Sequence, residues 1–252
     1  RSLCDVWSAA LPARRQGEVY HRFVLGVYDL LERLRRDYPE LLLEGCCGGG
    51  GRFDGGMLYY TPQIWCSDNS DAIDRLSIQY GTSFCYPPEA MGAHVSAVPN
   101  QQNGRVTPIQ TRGIAAMSGA FGYELDLSKC TSEEKACIRR QVRSYQEHYD
   151  LIHSGDYYRL AAPGEAGPFA AWAHVSPDRE RALVSLVTGG TGAAQPFRRL
   201  RLKGLDPAGR YRVNGGETLW SGGLLMSEGY PLPVPEGDYQ ALQLYFQAAD
   251  SQ

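Results

Sequence analysis

The chain has 252 residues, 25 of them basic and 28 acidic, for a formal net charge of -3; 21% are charged and 43% hydrophobic. That is the balance of a globular protein with one large domain or two of ordinary size, not of a disordered chain. An acidic excess argues against nucleic acid as the main partner, since phosphate binding needs clustered Lys and Arg, and no apolar run reaches the length that spans a bilayer. The 16 Tyr and 4 Trp lean mildly towards a neutral polar ligand such as a sugar.

Seven cysteines with no Cys-x-x-Cys spacing, two of them adjacent at Cys46 and Cys47, point to a reducing, cytoplasmic setting rather than a disulfide framework. The opening Arg1-Ser2-Leu3-Cys4-Asp5 carries no Met and no basic-then-apolar signal, so the chain reads as cut from something longer.

In chain order, Val19, Phe23, Val27, Leu30, Leu31 and Leu34 recur at helical spacing, which predicts a helix over 18–36 closed by Pro39. Leu41-Leu42-Leu43 leads into Glu44-Gly45-Cys46 as a short strand, expected to be buried on both faces. A glycine tract follows at 48–51, then a second strand at 63–66, a cluster of capping residues at 67–70 and a helix from Asp71 to about Tyr80. Residues 83–86 read as a third strand, 87–112 as a long loop and 113–127 as a strand and turn. Thr131-Ser132-Glu133-Glu134 has the capping-box pattern and opens a long helix to about Ser154. Beyond Gly155 the texture changes to short strands at 157–161, 170–175, 182–188, 197–205, 211–213 and 241–247, with Leu200 and Leu202 alternating against Arg201 and Lys203. The chain is thus expected to divide into an α/β part, 1–154, and an antiparallel part, 155–252. Three βα-type strands are too few to close a barrel, which suggests that half of a larger α/β domain lies upstream.

Chemistry concentrates between Glu44 and Asp74. The tract Cys46-Cys47-Gly48-Gly49-Gly50-Gly51-Arg52 lacks the Lys and Ser/Thr of a nucleotide loop. Close backbone approach to a ligand explains four glycines better than a plain turn does. Cys46, Cys47, Cys66, Cys85 and His94 fit no zinc spacing, so they read as small core residues and a structural histidine, with no metal and no cofactor called for. Arg52 and Asp54 read as a local pair, and Asp71 and Asp74 as solvated or dipole-pairing helix residues. Asp68 is different. Ser67, Asn69 and Ser70 could each cap the following helix, which leaves Asp68 available, and Trp65 stands three residues before it. An aromatic face stacks on a pyranose, and a carboxyl group beside an apolar wall suits general-acid work.

These residues carry a resemblance. Cys46 through Asp54, Trp65-Cys66-Ser67-Asp68-Asn69-Ser70-Asp71, Ile78-Gln79-Tyr80-Gly81, Gly92 through Asn100, Thr111-Arg112-Gly113 and Phe121 through Leu125 are similar to the α-galactosidases of glycoside hydrolase family 36. The similarity covers most of residues 1–160; the last ninety or so match only in texture. It implies an α/β fold, the second half of a (β/α)8 TIM barrel followed by an antiparallel β-sandwich-like domain. It implies a retaining hydrolase of terminal α-galactosides of the raffinose and melibiose type, with Asp68 as general acid/base and Cys46 and Gly49 lining the galactose pocket, beside which Trp65, from the residues themselves, is expected to stack on the sugar. The family's nucleophile lies in a Lys-Trp-Asp-x-Asn-Arg motif whose tail resembles Arg1-Ser2-Leu3, which places the nucleophile three residues ahead of Arg1. The chain alone would then be inactive, with a homo-oligomer expected of the whole protein. Cys47 stands where the family more often has Ser.

Three other readings stay open. A galactosyl transferase would share the catalytic residues and reveal itself by products formed with excess sugar acceptor. An α-N-acetylgalactosaminidase would differ in the pocket around Cys46 and Gly49. A non-catalytic carbohydrate-binding fragment would bind galactose without hydrolysis.

Overall fold

The structure is a computed structural model that describes residues 7–164, 169–190, 198–234 and 236–249. Arg1-Ser2-Leu3, expected to be the tail of a catalytic motif, lies outside the described residues, as does the side chain of Cys47. The described residues form two compact units. One runs up to Asp68 and includes Ala90–Gly92; the other takes Asn69–Glu89 and the residues from Ala93 onward.

The first unit opens with α1 (Glu18–Asp37), as its apolar spacing predicts. It then forms the two-residue strand β1 (Glu44–Gly45), the glycine turn α2 (Cys47–Gly50) and the short helix α3 (Gly55–Tyr60). Strand β2 (Gln63–Trp65) completes it, together with the first residues of β3 (Met91–Ser96). The pairing is parallel: Glu44 opposite Gln63, Gly45 opposite Ile64, Ile64 opposite Met91 and Trp65 opposite Gly92. Tyr28 on α1 stacks near Tyr60 of α3, ring centroids 5.5 Å apart. The Asp54 carboxylate caps α3, accepting from the Met57 amide at 2.8 Å, and the Arg52 guanidinium lies over the Phe23 ring.

Two expectations fail here. The Leu41-Leu42-Leu43 run is not a strand, and Leu42 is 90% exposed. β1 lies at the edge of the described sheet, paired on one side only, with Gly45 buried and Glu44 exposed. Residues 83–86 are a turn, with Phe84 edge-on to Tyr80 and under the Arg159 guanidinium. The third parallel strand is β3, inside the segment read as a loop. Small residues fill it, and it is buried on both faces, so it shows no alternation to read.

In the second unit α4 (Ala72–Thr82) follows the polar cluster, α5 (Ile109–Ala116) replaces the expected strand near 113, and β4 (Ala120–Glu124) lies beside β3. The capping box forms as read: Thr131 Oγ1 accepts from the Glu134 amide and the Glu134 carboxylate accepts from the Thr131 amide, opening α6 (Ser132–Glu147). The helix breaks at His148 and restarts as α7 (Tyr149–Ser154).

Antiparallel strands follow: β5 (Asp156–Ala161), β6 (Phe169–Val175), β7 (Arg181–Thr188), β8 (Arg198–Leu200), β9 (Arg210–Val213) and β10 (Trp220–Ser221). After helix α8 (Gly222–Ser227) come β11 (Tyr230–Leu232) and β12 (Ala241–Ala248). One sheet has the order β10-β9-β12-β7-β6-β5; β11 pairs with β8 in a second. Their inner faces share one core, which includes Val184, Leu200, Leu202, Tyr211, Leu225 and Phe246. Leu200 and Leu202 are both buried, as their alternation predicts, although the strand ends at Leu200. Among the described residues, no helix is long and apolar enough to cross a membrane.

His174 on β6 is fully buried beside Tyr157, and neither ring nitrogen has a hydrogen-bond partner. Burial, with a smaller push from His153, lowers its pKa from 6.5 to about 4. Unfolded chain therefore takes up this proton near pH 6.5 and folded chain only near 4. Stability is full above about 6.5 and falls as the pH drops towards 4, by at most about 3 kcal/mol from this one group. The urea midpoint of the chain should fall over that window, and His174→Phe should flatten the fall. Equal pH slopes in the two proteins would contradict the assignment.

Candidate active site

The sheet of the first unit puts the chemistry at the carboxyl ends of parallel strands, where α/β folds carry their sites. Trp65 is the last residue of β2 and Asp68 follows three residues later. Cys46 follows β1, exposed, with a free thiol. Gly49 sits in the turn after it, at φ +77°, and Gly48 at φ +63°, in the left-handed region that side chains rarely adopt.

The turn carries Gly49 against Asp68. A Cβ built on Gly49 would lie 2.6 Å from the Asp68 backbone nitrogen and 3.3 Å from its carboxyl carbon. The same test at Gly48 meets nothing within 4 Å. One glycine of the tract is therefore needed for close approach and its neighbour for backbone shape alone. Asp68 itself is exposed.

Asp68 is not the cap of the helix that follows. Asp71 holds that place, accepting from the Ile73 amide at 3.1 Å and the Asp74 amide at 2.9 Å. Of the two readings of Asp71, solvated or dipole-pairing, the structure has the second: it sits at the N-terminus of α4, its side chain 1% exposed and ion-paired with Arg105. The Asp74 carboxylate also takes Arg105, at 3.0 Å, and Asn69, at 2.9 Å; the guanidinium and the Asn69 amide hold it below its ordinary carboxylate pKa against the opposing effect of burial, the largest single influence on it.

Trp65 is half-buried, and its ring runs close to the backbone of the neighbouring strand. A Cβ on Gly92 would lie 3.0 Å from Trp65 Cε3 and 3.4 Å from Glu44 Oε1. Glu44 in turn accepts from Gln63 Nε2 at 3.0 Å. Glu44, Gln63, Trp65 and Gly92 thus share one face of the parallel sheet. The sequence reading passed over Glu44, Gln63 and Gly92 as site residues; the register of parallel strands that joins them becomes visible only once β3 is placed at Met91–Ser96.

His94 lies on β3 in the second unit, with Nδ1 3.9 Å from a Glu124 carboxylate oxygen and its ring under Gly122. Among the described residues no group of three or more His, Cys, Asp or Glu is placed to hold a metal ion.

What the arrangement offers is an exposed carboxylate at a strand end, relieved of capping, backed by a glycine turn, with a tryptophan and a thiol at neighbouring strand ends. That suits proton transfer to a neutral, polar, ring-shaped ligand rather than binding of a phosphate or a metal.

Comparison with known proteins gives the same direction. A family model described as Melibiase matches residues 1–155, and one described as the glycosyl hydrolase family 36 C-terminal domain matches 169–246. The bifunctional alpha-galactosidase/sucrose kinase AgaSK of Mediterraneibacter gnavus is 51% identical over 98% of the chain, which spans 25% of that protein. Alpha-galactosidase 1 of Pediococcus pentosaceus is 49% identical over 98% of the chain, which spans 34% of that protein. The chain thus covers a quarter to a third of the length of these relatives. The crystal structure of a variant of the family 36 alpha-galactosidase AgaA of Geobacillus stearothermophilus in complex with raffinose superposes with a TM-score of 0.93 at 47% identity, over 98% of this chain and 34% of that one. An alpha-amylase of Geobacillus thermoleovorans, at 12% identity and a TM-score of 0.52, shares the fold alone. The fold is α/β, with the parallel strands belonging to the second half of a (β/α)8 barrel, followed by an antiparallel β domain.

Proposed function

Because the chain belongs to the melibiase family, glycoside hydrolase family 36, we propose that the whole protein hydrolyses terminal α-galactosides with retention of configuration, and that Asp68 is its general acid/base. The observation that supports this reading most is the backing of Asp68 by Gly49 at the ends of parallel strands, with the capping duty taken by Asp71. Cys46 and Gly49 would line the galactose pocket and Trp65 would stack on a sugar face.

In a retaining glycosidase one carboxylate attacks the anomeric carbon while a second, about 5–5.5 Å away, protonates the leaving oxygen and then activates water. Asp68 takes the second part. The attacking carboxylate is the one that the resemblance places ahead of Arg1, so the 252-residue chain by itself is expected not to turn over. The substrates proposed are α-galactosyl oligosaccharides of the raffinose and melibiose type. Raffinose is the sugar bound in the AgaA variant.

The test is proton NMR of the first product formed by the whole enzyme from melibiose. α-Galactose appearing before mutarotation supports the reading. β-Galactose appearing first would replace it with an inverting mechanism. Galactosyl-sugar products dominating with excess acceptor would replace hydrolysis by transfer, and turnover of α-N-acetylgalactosaminides in preference would change the substrate.

A further inference from the structure

Of the three residues that follow Asp68, Ser70 and Asp71 are held directly from one loop and Asn69 is tied to it through Asp71 and Asp74. Ser70 donates its amide to Gln102 Oε1 at 3.3 Å and accepts from Asn100 Nδ2 at 3.2 Å on its hydroxyl. Asp71, buried, accepts from Arg105 Nη1 on the same oxygen that caps α4. Asn69 accepts from the Asp71 amide at 2.9 Å and donates to Asp74, which itself accepts from Arg105 at 3.0 Å. The loop is closed on itself. The Asn100 amide donates to the Arg105 carbonyl at 2.9 Å, the Gly104 amide to the Asn100 carbonyl at 2.8 Å, and the Arg105 amide to Asn103 Oδ1 at 2.9 Å. It is a strap with its own internal hydrogen bonds and one cation at its end.

That cation has a second contact. The Arg105 guanidinium lies over the ring of Tyr239, 5.6 Å from its centroid. Tyr239 comes from the turn before β12, in the antiparallel part of the chain, and sits at φ +54°, a conformation that costs an L-residue energy. It is fixed there by two hydrogen bonds. Thr111 Oγ1 donates to its carbonyl at 2.5 Å, and its amide donates to the Gly189 carbonyl at 3.1 Å. Strain held by surrounding contacts at a residue that also touches the strap is more than a plain hairpin needs.

We infer that Arg105 is a positioning residue for Asp68, fixing the turn at Asn69–Asp71 through its two carboxylate partners, and that Tyr239 couples the antiparallel domain to this task. The inference rests on the acid/base role proposed for Asp68. Its physical basis is that Asn69 is bonded to Asp68, so the strap sets the direction in which the chain leaves the acid. Removing Arg105 leaves the Asp71 carboxylate buried without its cation, and the turn must open to hydrate it. A general acid displaced on the order of 1 Å loses about 10²-fold in rate.

The experiment measures kcat/KM of the whole enzyme for melibiose and for 4-nitrophenyl α-galactoside, whose leaving group needs no acid, in wild type, Arg105→Ala, Tyr239→Leu and Asp68→Ala. The ratio of the two values is independent of the fraction of protein that folds. It should fall at least about tenfold in Arg105→Ala and by a smaller factor in Tyr239→Leu, with KM for melibiose changed little. A ratio unchanged in both, with only the melting temperature lowered, would make the strap purely structural and overturn the inference. Where Arg105→Ala yields no folded protein, Tyr239→Leu decides by the same ratio. If Asp68→Ala itself leaves the ratio unchanged, the acid/base reading has failed; if Asp68→Ala collapses it and the other two do not, only the positioning role has failed.

Discussion

Replacing Asp68 by Ala in the whole enzyme is expected to lower kcat/KM for melibiose by at least about 10²-fold, the contribution of a positioned general acid. The glucose of melibiose leaves as a sugar alkoxide unless the glycosidic oxygen is protonated as the bond breaks. A nitrophenolate leaves unaided, so kcat/KM for 4-nitrophenyl α-galactoside should change far less. Its kcat should nevertheless drop, because the same carboxylate activates the water that releases galactose from the enzyme, and KM should drop with it as the covalent intermediate accumulates. This pattern separates loss of an acid/base from general damage, which lowers both substrates alike. Near-normal melibiose hydrolysis by the variant would remove Asp68 from the mechanism.

Gly49→Ala should be nearly as harmful, for a steric reason. The new methyl would stand 2.6 Å from the Asp68 amide nitrogen, a backbone atom that cannot rotate away. Relief requires the turn or the segment bearing Asp68 to move by a sizeable fraction of an ångström. Geometry errors of that order at a reacting group cost about 10²-fold. The left-handed backbone adds roughly 1–2 kcal/mol of strain. Gly48→Ala provides the control. Its φ of +63° carries the same strain, but its Cβ would meet nothing within 4 Å. Both variants should lose stability, Gly49→Ala the more because of its clash, while only Gly49→Ala loses melibiose turnover. Equal activity losses would mean that strain in the turn, not the contact with Asp68, is responsible.

How far the sequence carried these conclusions varies along the chain. Helix α1, the capping box at Thr131 and most of the antiparallel strands follow from local signals: apolar period, cap residues and turn chemistry act within a few residues, and tertiary context did not override them. Asp68 stands out in sequence because Ser67, Asn69 and Ser70 could each cap α4; the cap is none of these three. That it is Asp71, buried against Arg105 across 34 positions, is a long-range pairing with no local trace. Strand β3 was hidden because Met91-Gly92-Ala93-His94-Val95-Ser96 is small and buried on both faces, which erases the alternation that marks a half-exposed strand. The closeness of Gly49 to Asp68 was readable only as the suspicion that four glycines must permit an approach to something; what they approach is the acid's own backbone.

The most direct test of Asp68 as acid/base is azide trapping in the Asp68→Ala whole enzyme with 4-nitrophenyl α-galactoside. Azide needs no general base, so it should attack the accumulated intermediate in place of water. Nitrophenolate release should rise at least about tenfold, and the product should be α-galactosyl azide, the anomer that follows from two displacements. An absence of any azide product, with no change in rate, would contradict the assignment, and β-galactosyl azide would make Asp68 the attacking carboxylate instead.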